Sequence, residues 1–168
     1  MQRTQYPAAR RATREDEYHG VKVPDPYHWL EDADSDETRA WVRAQNDLTG
    51  AFLASLPARD WFRERLTALW DYPKQGVPFS RGGRWFRFSN SGLQNQDVLY
   101  TAARLDGPWE VLLDPNALSE QGTVALGSVH PSRDGRLLAY SLRSGGSDWL
   151  EWHLRDVITG EDLPDTLK

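Results

Sequence analysis

The sequence predicts an α+β fold, in which an N-terminal helical hairpin segment precedes two four-stranded blades of a β-propeller. Two observations favour it. The spacing of apolar residues changes from about 3.6 to 2 near Tyr72. Beyond that point residues 80–89 resemble residues 132–141, which lie 52 positions further on. A period of about 50 residues built from short strands and glycine turns is typical of propeller blades, although two unrelated hairpins with one turn type remain the alternative.

Composition limits the classes of protein to consider. The chain has 168 residues, a net charge of −5 and no cysteine. The acidic balance argues against a nucleic-acid footprint or a basic membrane patch, and the lack of cysteine excludes disulfides and Cys-type zinc sites. Residues 1–20 show no secretory signal, and no apolar run is long enough to span a membrane. We therefore expect a cytoplasmic protein, or a periplasmic one in a bacterium.

The first element predicted is an irregular, charged arm. Residues 1–24 contain a mixed charge run punctuated by prolines, which is typical of a solvated segment. The turn that follows carries Tyr27, Trp29 and Leu30. Three large apolar side chains are unusual in a free loop, so we expect them to be buried against a partner surface.

Two helices come next. The first is predicted to begin at Asp34, which forms a capping-box pattern with Glu37, or at the competing N-cap Ser35. Its apolar positions follow helical spacing: Trp41, Ala44, Leu48, Phe52 and Leu56. Pro57 ends it, and a second helix over residues 58–70 carries a stripe of its own: Phe62, Leu66 and Leu69. We expect the two stripes to cover each other in a helical hairpin.

Short strands follow the helices. Alternating or β-branched runs predict strands at residues 85–88, 98–101, 110–113, 124–126, 137–142 and 150–157. The period change places the domain boundary within Asp71 to Lys74. The predicted domains are a helical segment, residues 1–71, and a partial propeller, residues 72–168. Within the propeller, blade 1 covers about residues 75–118 and blade 2 about residues 123–168.

The residues of this chain form no catalytic or metal-binding pattern. Its four histidines are not spaced as zinc ligands, so we predict surface or hydrogen-bonded roles for them and no metal site: His19, His28, His130 and His153. No phosphate loop occurs, and we predict no cofactor. The nearest approach to a nucleophile elbow, residues 145–148, is followed by Trp149 where the second glycine is needed. We therefore assign no catalytic residue to this chain.

Several motifs resemble the opening of the prolyl oligopeptidases, the proline-specific serine peptidases. The resemblance covers residues 6–168, nearly the whole chain. The motifs that carry it are Tyr18-His19-Gly20, Asp25-Pro26-Tyr27, Trp29-Leu30-Glu31-Asp32, Gln45-Asn46, Asp71-Tyr72-Pro73-Lys74, Gly92-Leu93-Gln94-Asn95-Gln96 and Gly145 to Trp149. His28 stands where the family usually has arginine. The Leu-Gln-Asn-Gln run is the most discriminating of these motifs.

The resemblance implies that catalysis and its structural support belong to different domains. It makes residues 1–71 a segment that packs on a C-terminal α/β-hydrolase domain, and the remainder the first two blades of an incomplete seven-bladed propeller. The family's nucleophilic Ser, its Asp and its His lie in that hydrolase domain, beyond Lys168. The chain is then an N-terminal fragment of a serine peptidase that cleaves short peptides after proline. It would supply gating and support, would be inactive alone, and would have short proline-containing peptides and the hydrolase domain as its partners.

One residue receives a candidate substrate-binding role from the resemblance. Asp148, in the Gly-Ser-Asp-Trp run, is placed at the propeller face towards the substrate cavity. The competing interpretation is that Asp148 caps the turn before its strand, as Asp97 would in the first copy of the repeat. Two alternatives for the whole chain also remain: a fragment of an oligopeptidase B-like peptidase, and a non-catalytic propeller-type interaction module.

Overall fold

The computed structural model describes residues 5–168, so the first four residues of the predicted segment 1–71 lie outside the described residues. The described chain is α+β, with two α-helices and three antiparallel sheets. It divides into two compact units, one ending at Glu64 and one running from Arg65 to Lys168. Over residues 5–168, neither helix combines the length and the apolar character that crossing a bilayer requires.

A β-hairpin opens the first unit. Strand β1 (Glu15–Tyr18) pairs antiparallel with β2 (Val21–Pro24). The two residues between them have positive φ, 53° at His19 and 81° at Gly20. Positive φ at both positions gives the two-residue turn whose twist matches that of paired strands. The prediction that residues 1–24 are irregular is wrong here, because the His-Gly pair between short apolar-charged runs is itself the hairpin signal.

The residues before the hairpin are held in place by specific contacts. The Arg10 guanidinium donates to both carboxylate oxygens of Glu37, at 2.6 and 2.9 Å. The indole Nε1 of Trp29 donates to the Arg10 carbonyl at 2.9 Å, and the Gln45 amide donates to the Pro7 carbonyl at 3.2 Å. The arm is therefore attached to the first helix and to the turn before it.

The three apolar residues predicted to be buried differ from one another. Trp29 and Leu30, in the 3-10 helix His28–Glu31, are half-buried, and Trp29 meets Trp41 edge to face at 6.4 Å. Tyr27 is 40 % exposed within this chain, so its burial against a partner surface stays a prediction. The Arg11 guanidinium lies 5.6 Å from the centre of the Tyr27 ring, so one charged side chain provides part of the cover.

Helix α1 spans Asp36–Ala54, and Ser35 is its N-cap. The Ser35 hydroxyl oxygen accepts a hydrogen bond from the Thr38 backbone N–H at 3.2 Å, which satisfies one of the free amides of the first turn. Asp34, the competing cap, instead accepts from Arg39 at 2.6 Å. Glu37 is engaged by Arg10, so the capping box predicted from Asp34 and Glu37 does not form.

Replacing the cap tests this assignment. We expect Ser35→Ala to lower the free energy of unfolding by about 1 kcal/mol, the usual loss when a hydroxyl cap is removed. Asp34→Ala is the matched control and should cost at most about 0.5 kcal/mol, because its partner is a solvent-exposed arginine. Urea unfolding followed by circular dichroism measures both. A greater loss for Asp34→Ala than for Ser35→Ala would contradict the assignment.

Helix α2 spans Arg59–Trp70, as the spacing predicts, but neither helix buries its apolar stripe. Phe52 is 58 % exposed and Phe62 is 55 % exposed. The other exposed members of the stripes are Leu56, Leu66 and Leu69. The exposure of Phe52 and Phe62 does not support the expectation that the two stripes cover each other. Helical spacing identifies an apolar face, but it does not identify the surface that covers that face.

The second unit contains two antiparallel sheets. The first comprises β3 (Lys74–Gln75), β4 (Phe79–Arg81), β5 (Arg84–Asn90), β6 (Val98–Ala102) and β7 (Glu110–Leu113). Strands β3 and β4 pair with opposite ends of β5, so five strands occupy four positions in the sheet. The outermost position is interrupted at residues 76–78, where Pro78 has no N–H to donate. Both strands are too short to show an alternating pattern in the sequence, which does not predict them.

The other sheet is a four-stranded meander. It comprises β8 (Val124–Pro131), β9 (Leu137–Ser144), β10 (Glu151–Asp156) and β11 (Asp162–Leu167), paired in chain order. A register shift between Leu126 and Val129 bends β8. The sequence does not predict β11, because Leu163 and Leu167 are separated by Pro164 and two polar residues and show no apolar alternation.

The two sheets share one apolar core. Its buried members are Phe86, Leu99, Leu112 and Leu113 from the first sheet, with Leu138, Tyr140 and Val157 from the second sheet and the loop after β10. The glycine turns of the sequence repeat also meet, because a Cβ built on Gly82 would collide with the backbone of Asp134. The repeat thus corresponds to two sheets that pack on each other, with their β4–β5 and β8–β9 turns in contact.

Candidate site at one end of the two sheets

The contact between the glycine turns orients the two sheets. Strands β5 and β9 both start from those turns, so both finish at the opposite end of the sheets. The β5–β6 loop, residues 91–97, and the β9–β10 loop, residues 145–150, therefore lie at one common end, which we call the loop end. Asp97 and Asp148 belong to these loops, 51 positions apart.

Asp148 is exposed in the β9–β10 loop. Within the described residues, the side chain that caps this loop is Ser147 and not Asp148. The Ser147 hydroxyl accepts a hydrogen bond from the Trp149 N–H at 3.1 Å. Trp149 is 84 % exposed. A cavity of about 460 Å³ adjoins the loop and is lined by residues on either side of Asp148, including Ser147, Trp149 and Glu151. Asp148 does not line that cavity itself.

The β5–β6 loop is held rigidly by side-chain amides. The buried Asn90 donates to the Gln94 carbonyl at 3.0 Å and to Asp97 Oδ1 at 3.1 Å, and its own oxygen accepts from the Gly92 N–H at 2.9 Å. Asn116 binds the Gln96 backbone with both ends of its side-chain amide: Oδ1 accepts from the Gln96 N–H at 2.9 Å, and Nδ2 donates to the Gln96 carbonyl at 3.0 Å. The loop is therefore preorganised by contacts from its own strand and from the turn after β7.

The same loop contacts the segment that leads into the first sheet. The Lys74 ammonium donates to the Gly92 carbonyl at 2.6 Å and to the Trp70 carbonyl at 3.0 Å. Gly92 has φ 149°, and a Cβ there would collide with the Asp71 carboxylate. These contacts hold the Asp71-Tyr72-Pro73-Lys74 motif against the Gly92 loop, although the two lie far apart in the sequence.

A second cavity, of about 340 Å³, lies between the sheets at the loop end. Its apolar wall consists of Phe88 from the first sheet and Leu126 with Gly127 from the second, and its polar wall is Asn95, Gln96 and Asp97. The sequence does not predict a site here. The signal available was the position of Asp97 in the repeat, which is equivalent to that of Asp148.

Two carboxylates and one histidine also meet in the first unit. One ligand atom each of Asp16, Asp25 and His28 lies within 4.8 Å of the others, so these residues are the group that could hold a metal in the described part of the chain. Each already has a partner. His28 Nδ1 lies 3.0 Å from Asp25 Oδ2, and Arg14 donates to Asp16 at 3.0 Å. Hydrogen bonding within the protein accounts for this group.

The two histidines of the second unit stack on aromatic rings. His130 lies 5.8 Å from the Trp152 ring and His153 lies 5.3 Å from the Tyr140 ring, both in stacked geometry. His153 Nε2 is also 3.4 Å from a Glu151 oxygen. His130 is exposed and His153 is half-buried. His19, in the hairpin turn, is exposed.

A charged group joins the two sheets. Arg155 donates to both oxygens of Asp162 at 2.8 Å and to the Leu112 carbonyl of the first sheet at 2.6 Å. The hydrogen bond from Arg155 lowers the pKa of Asp162. Burial, assisted by a hydrogen bond to Asp162, raises the pKa of Tyr140 to about 12. The group is structural, because its members satisfy one another.

Residues 6–168 match the model of a known family domain, described as "Prolyl oligopeptidase, N-terminal beta-propeller domain". The chain is 41 % identical over 162 residues to the prolyl endopeptidase of Elizabethkingia meningoseptica, covering 96 % of this chain and 23 % of that protein. It is 37 % identical over 166 residues to prolyl oligopeptidase A of Amanita bisporigera, covering 90 % of this chain and 22 % of that protein. The chain thus spans less than a quarter of the length of these relatives.

Solved structures show the same likeness. A structure from a study of two prolyl endopeptidases and their inter-domain dynamics superposes with a TM-score of 0.82 at 35 % identity, covering 98 % of this chain and 24 % of that one. Prolyl oligopeptidase B from Galerina marginata, bound to a 35mer hydrolysis and macrocyclization substrate, superposes with a TM-score of 0.73 at 30 % identity. That match covers 97 % of this chain and 26 % of the other.

Proposed function

Because the chain belongs to the prolyl oligopeptidase family, through its N-terminal β-propeller domain, we propose that it is the N-terminal part of a serine peptidase that cleaves short peptides after proline. The observation that carries the proposal is the 41 % identity to a prolyl endopeptidase over 96 % of the chain. A serine nucleophile, with His as base and Asp orienting it, would come from a C-terminal α/β-hydrolase domain. This chain would contribute no catalytic residue and would be inactive alone.

The helical residues and the sheet residues have different places in the proposed longer protein. We assign residues 1–71 to a helical hairpin segment that packs on the hydrolase domain, and residues 72–168 to an incomplete seven-bladed propeller. Solvent-exposed apolar side chains along both helices support the packing of residues 1–71 on another domain, since such side chains need a surface to cover them. Two adjacent antiparallel sheets around one core support blades at about residues 75–118 and 123–168.

In this arrangement the propeller restricts access to the nucleophile. A ring of blades leaves a narrow central opening, so flexible oligopeptides would reach the serine and folded proteins would not. The rigid β5–β6 loop and its contact with Lys74 support a stiff wall at the loop end. Positioning of the peptide there would lower the entropy cost of the reaction in the neighbouring domain.

The test compares the chain alone with the chain extended to the full length of its relatives. Fluorogenic peptides with proline, alanine or arginine before the cleaved bond distinguish the candidate activities. We expect the extended protein to cleave the proline peptide and the 168-residue chain to cleave none. Cleavage after arginine instead would favour an oligopeptidase B-like enzyme. An extended protein that folds but cleaves no peptide would contradict the proposal and favour an interaction module.

Asp148 is proposed to face the peptide and to favour substrates with positive charge near the proline. It lies at the loop end, and its carboxylate forms no ion pair with the described residues. Its neighbour Trp149 lines the adjoining cavity. A carboxylate in a partly enclosed site attracts a cation by about 1 kcal/mol or more, because the effective dielectric is below that of water.

Substitution in the extended protein measures this effect. We expect Asp148→Asn to lower kcat/KM about tenfold for a peptide with arginine next to the proline and to leave the alanine peptide unchanged, since a loss of about 1.4 kcal/mol is a factor of ten. Asp106→Asn, at a loop of the opposite end, is the matched control. Equal losses on both peptides, accompanied by a lower Tm, would assign Asp148 to turn capping.

A further inference from the structure

The cavity between the two sheets has the composition of a binding site for one basic side chain. Its volume of about 340 Å³ is at the lower end of the range for ligand pockets, so it suits a single side chain rather than a whole peptide. Phe88 and Leu126 form one wall, and Asn95, Gln96 and Asp97 form the other. An apolar wall facing a carboxylate matches an aliphatic stem that ends in a cation.

The carboxylate in this cavity has an oxygen available for a ligand. Asn90 donates to Oδ1 of Asp97 at 3.1 Å, and no donor among residues 5–168 reaches Oδ2. The described residues also provide no cationic partner for Asp97, whereas Glu151, which lines the other cavity of the loop end, is paired with Lys168 at 3.0 Å. An ionised carboxylate accepts several hydrogen bonds, so Oδ2 remains able to accept from a guanidinium or an ammonium.

The site is rigid before any ligand arrives. Asn90 fixes one end of the loop and Asn116 holds the Gln96 backbone, so ordering Asp97 on binding costs little entropy. The side chain of Asn95 lies against Gly122, where a Cβ would collide with its amide. Two strands of different sheets and a loop held at both ends therefore form the walls of the cavity.

We propose that this cavity is a subsite for an arginine or lysine side chain of a bound peptide, with Asp97 as the residue that selects the positive charge. The proposal rests on the proposed peptidase function for the source of the peptide, and it adds a second cation-binding position to that of Asp148. Phe88 would lie beside the charged head, where an aromatic face adds to the attraction.

Nuclear magnetic resonance of the 15N-labelled 168-residue chain tests the subsite without catalysis. The probes are acetyl-Gly-Arg-Gly-amide and its norleucine counterpart, which has an uncharged stem. We expect the arginine peptide to shift the amide signals of residues 95–98 and to bind about tenfold tighter than the norleucine peptide, as for a charge-assisted hydrogen bond in a partly solvated site. Equal binding of the two peptides, or shifts confined to other residues, would overturn the proposal.

Two variants make the test specific. Asp97→Asn keeps an oxygen for the Asn90 hydrogen bond and should abolish the arginine preference, while an unchanged spectrum elsewhere shows that the variant folds. Asp106→Asn, in a loop at the opposite end of the sheets, should retain the preference. Arginine-dependent shifts of residues 95–98 that survive Asp97→Asn, or that are lost in Asp106→Asn, contradict the subsite. Cleavage by the extended protein is measured separately, so failure here leaves the peptidase assignment standing.

Discussion

Gly82→Ala is expected to lower the free energy of unfolding by at least about 3 kcal/mol. A Cβ at this position would collide with the Asp134 carbonyl and the Gly135 amide, which are backbone groups held in a turn of the other sheet. The turns would have to separate, which disturbs the packing that joins the two sheets. Gly82 also has φ 56°, a left-handed conformation that alanine adopts at a further cost. Urea unfolding of the chain measures the change.

Gly83→Ala is the matched control for the backbone conformation. Gly83 has φ 79° in the same turn, but a Cβ there meets nothing within 4 Å among the described residues. It should therefore cost only about 1 kcal/mol, the strain of a left-handed alanine. The difference between the variants measures the collision alone. Equal losses for the two variants would show that the turns do not touch in solution.

Arg155→Met is expected to cost about 2–3 kcal/mol. The substitution keeps an apolar stem but removes the donors to Asp162 and to the Leu112 carbonyl, so a bond between the sheets is lost. Its guanidinium also lies 5.5 Å from the Tyr140 ring. The loss falls below that of a fully buried ion pair because the Asp162 side chain is 41 % exposed.

Arg104→Met provides the matched control. Arg104 forms the same two-bond contact with a carboxylate, Asp106, but both side chains are more than 70 % exposed. Exposed pairs contribute little, so a loss of at most about 0.5 kcal/mol is expected. Thermal or urea unfolding compares the two variants. Similar losses would mean that Arg155 contributes as a surface pair and does not join the sheets.

The pH dependence of stability tests the group formed by Arg155, Asp162 and Tyr140. Asp162 has a lowered pKa in the folded chain, so its contribution is present above its unfolded pKa of about 3.9 and is lost as the pH falls below it. Tyr140, whose pKa is raised to about 12, contributes below its unfolded pKa of about 10 and loses that contribution as the pH rises towards 12. Arg155→Met should reduce the decrease in the free energy of unfolding that occurs at acid pH, because Asp162 then loses the hydrogen bond that lowers its pKa. If stability fell with pH in the same way in Arg155→Met, the stabilising role of the Arg155–Asp162 pair would be contradicted.

Local pattern in the sequence determined the elements with strong periodicity. The second helix, the switch to strands and the two copies of the repeat follow from residue spacing, because a helix repeats every 3.6 residues and a strand every two. The motifs around Gly92 to Gln96 indicated the family that the comparisons show. Elements without apolar alternation, such as β11, and the hairpin turn at His19-Gly20 were missed.

Only the tertiary structure decided which groups meet. The turns at Gly82 and Gly135 look like ordinary hairpin turns in the sequence, yet each lacks a Cβ where the other sheet approaches. The cavity beside Asp97 is formed from Phe88 and Leu126, which lie on different sheets, and the bond from Arg155 to Leu112 joins residues 43 positions apart. Spacing along the chain specifies the face on which a side chain lies. The surface that this face meets depends on loop closure and packing between distant segments, and local periodicity does not encode either.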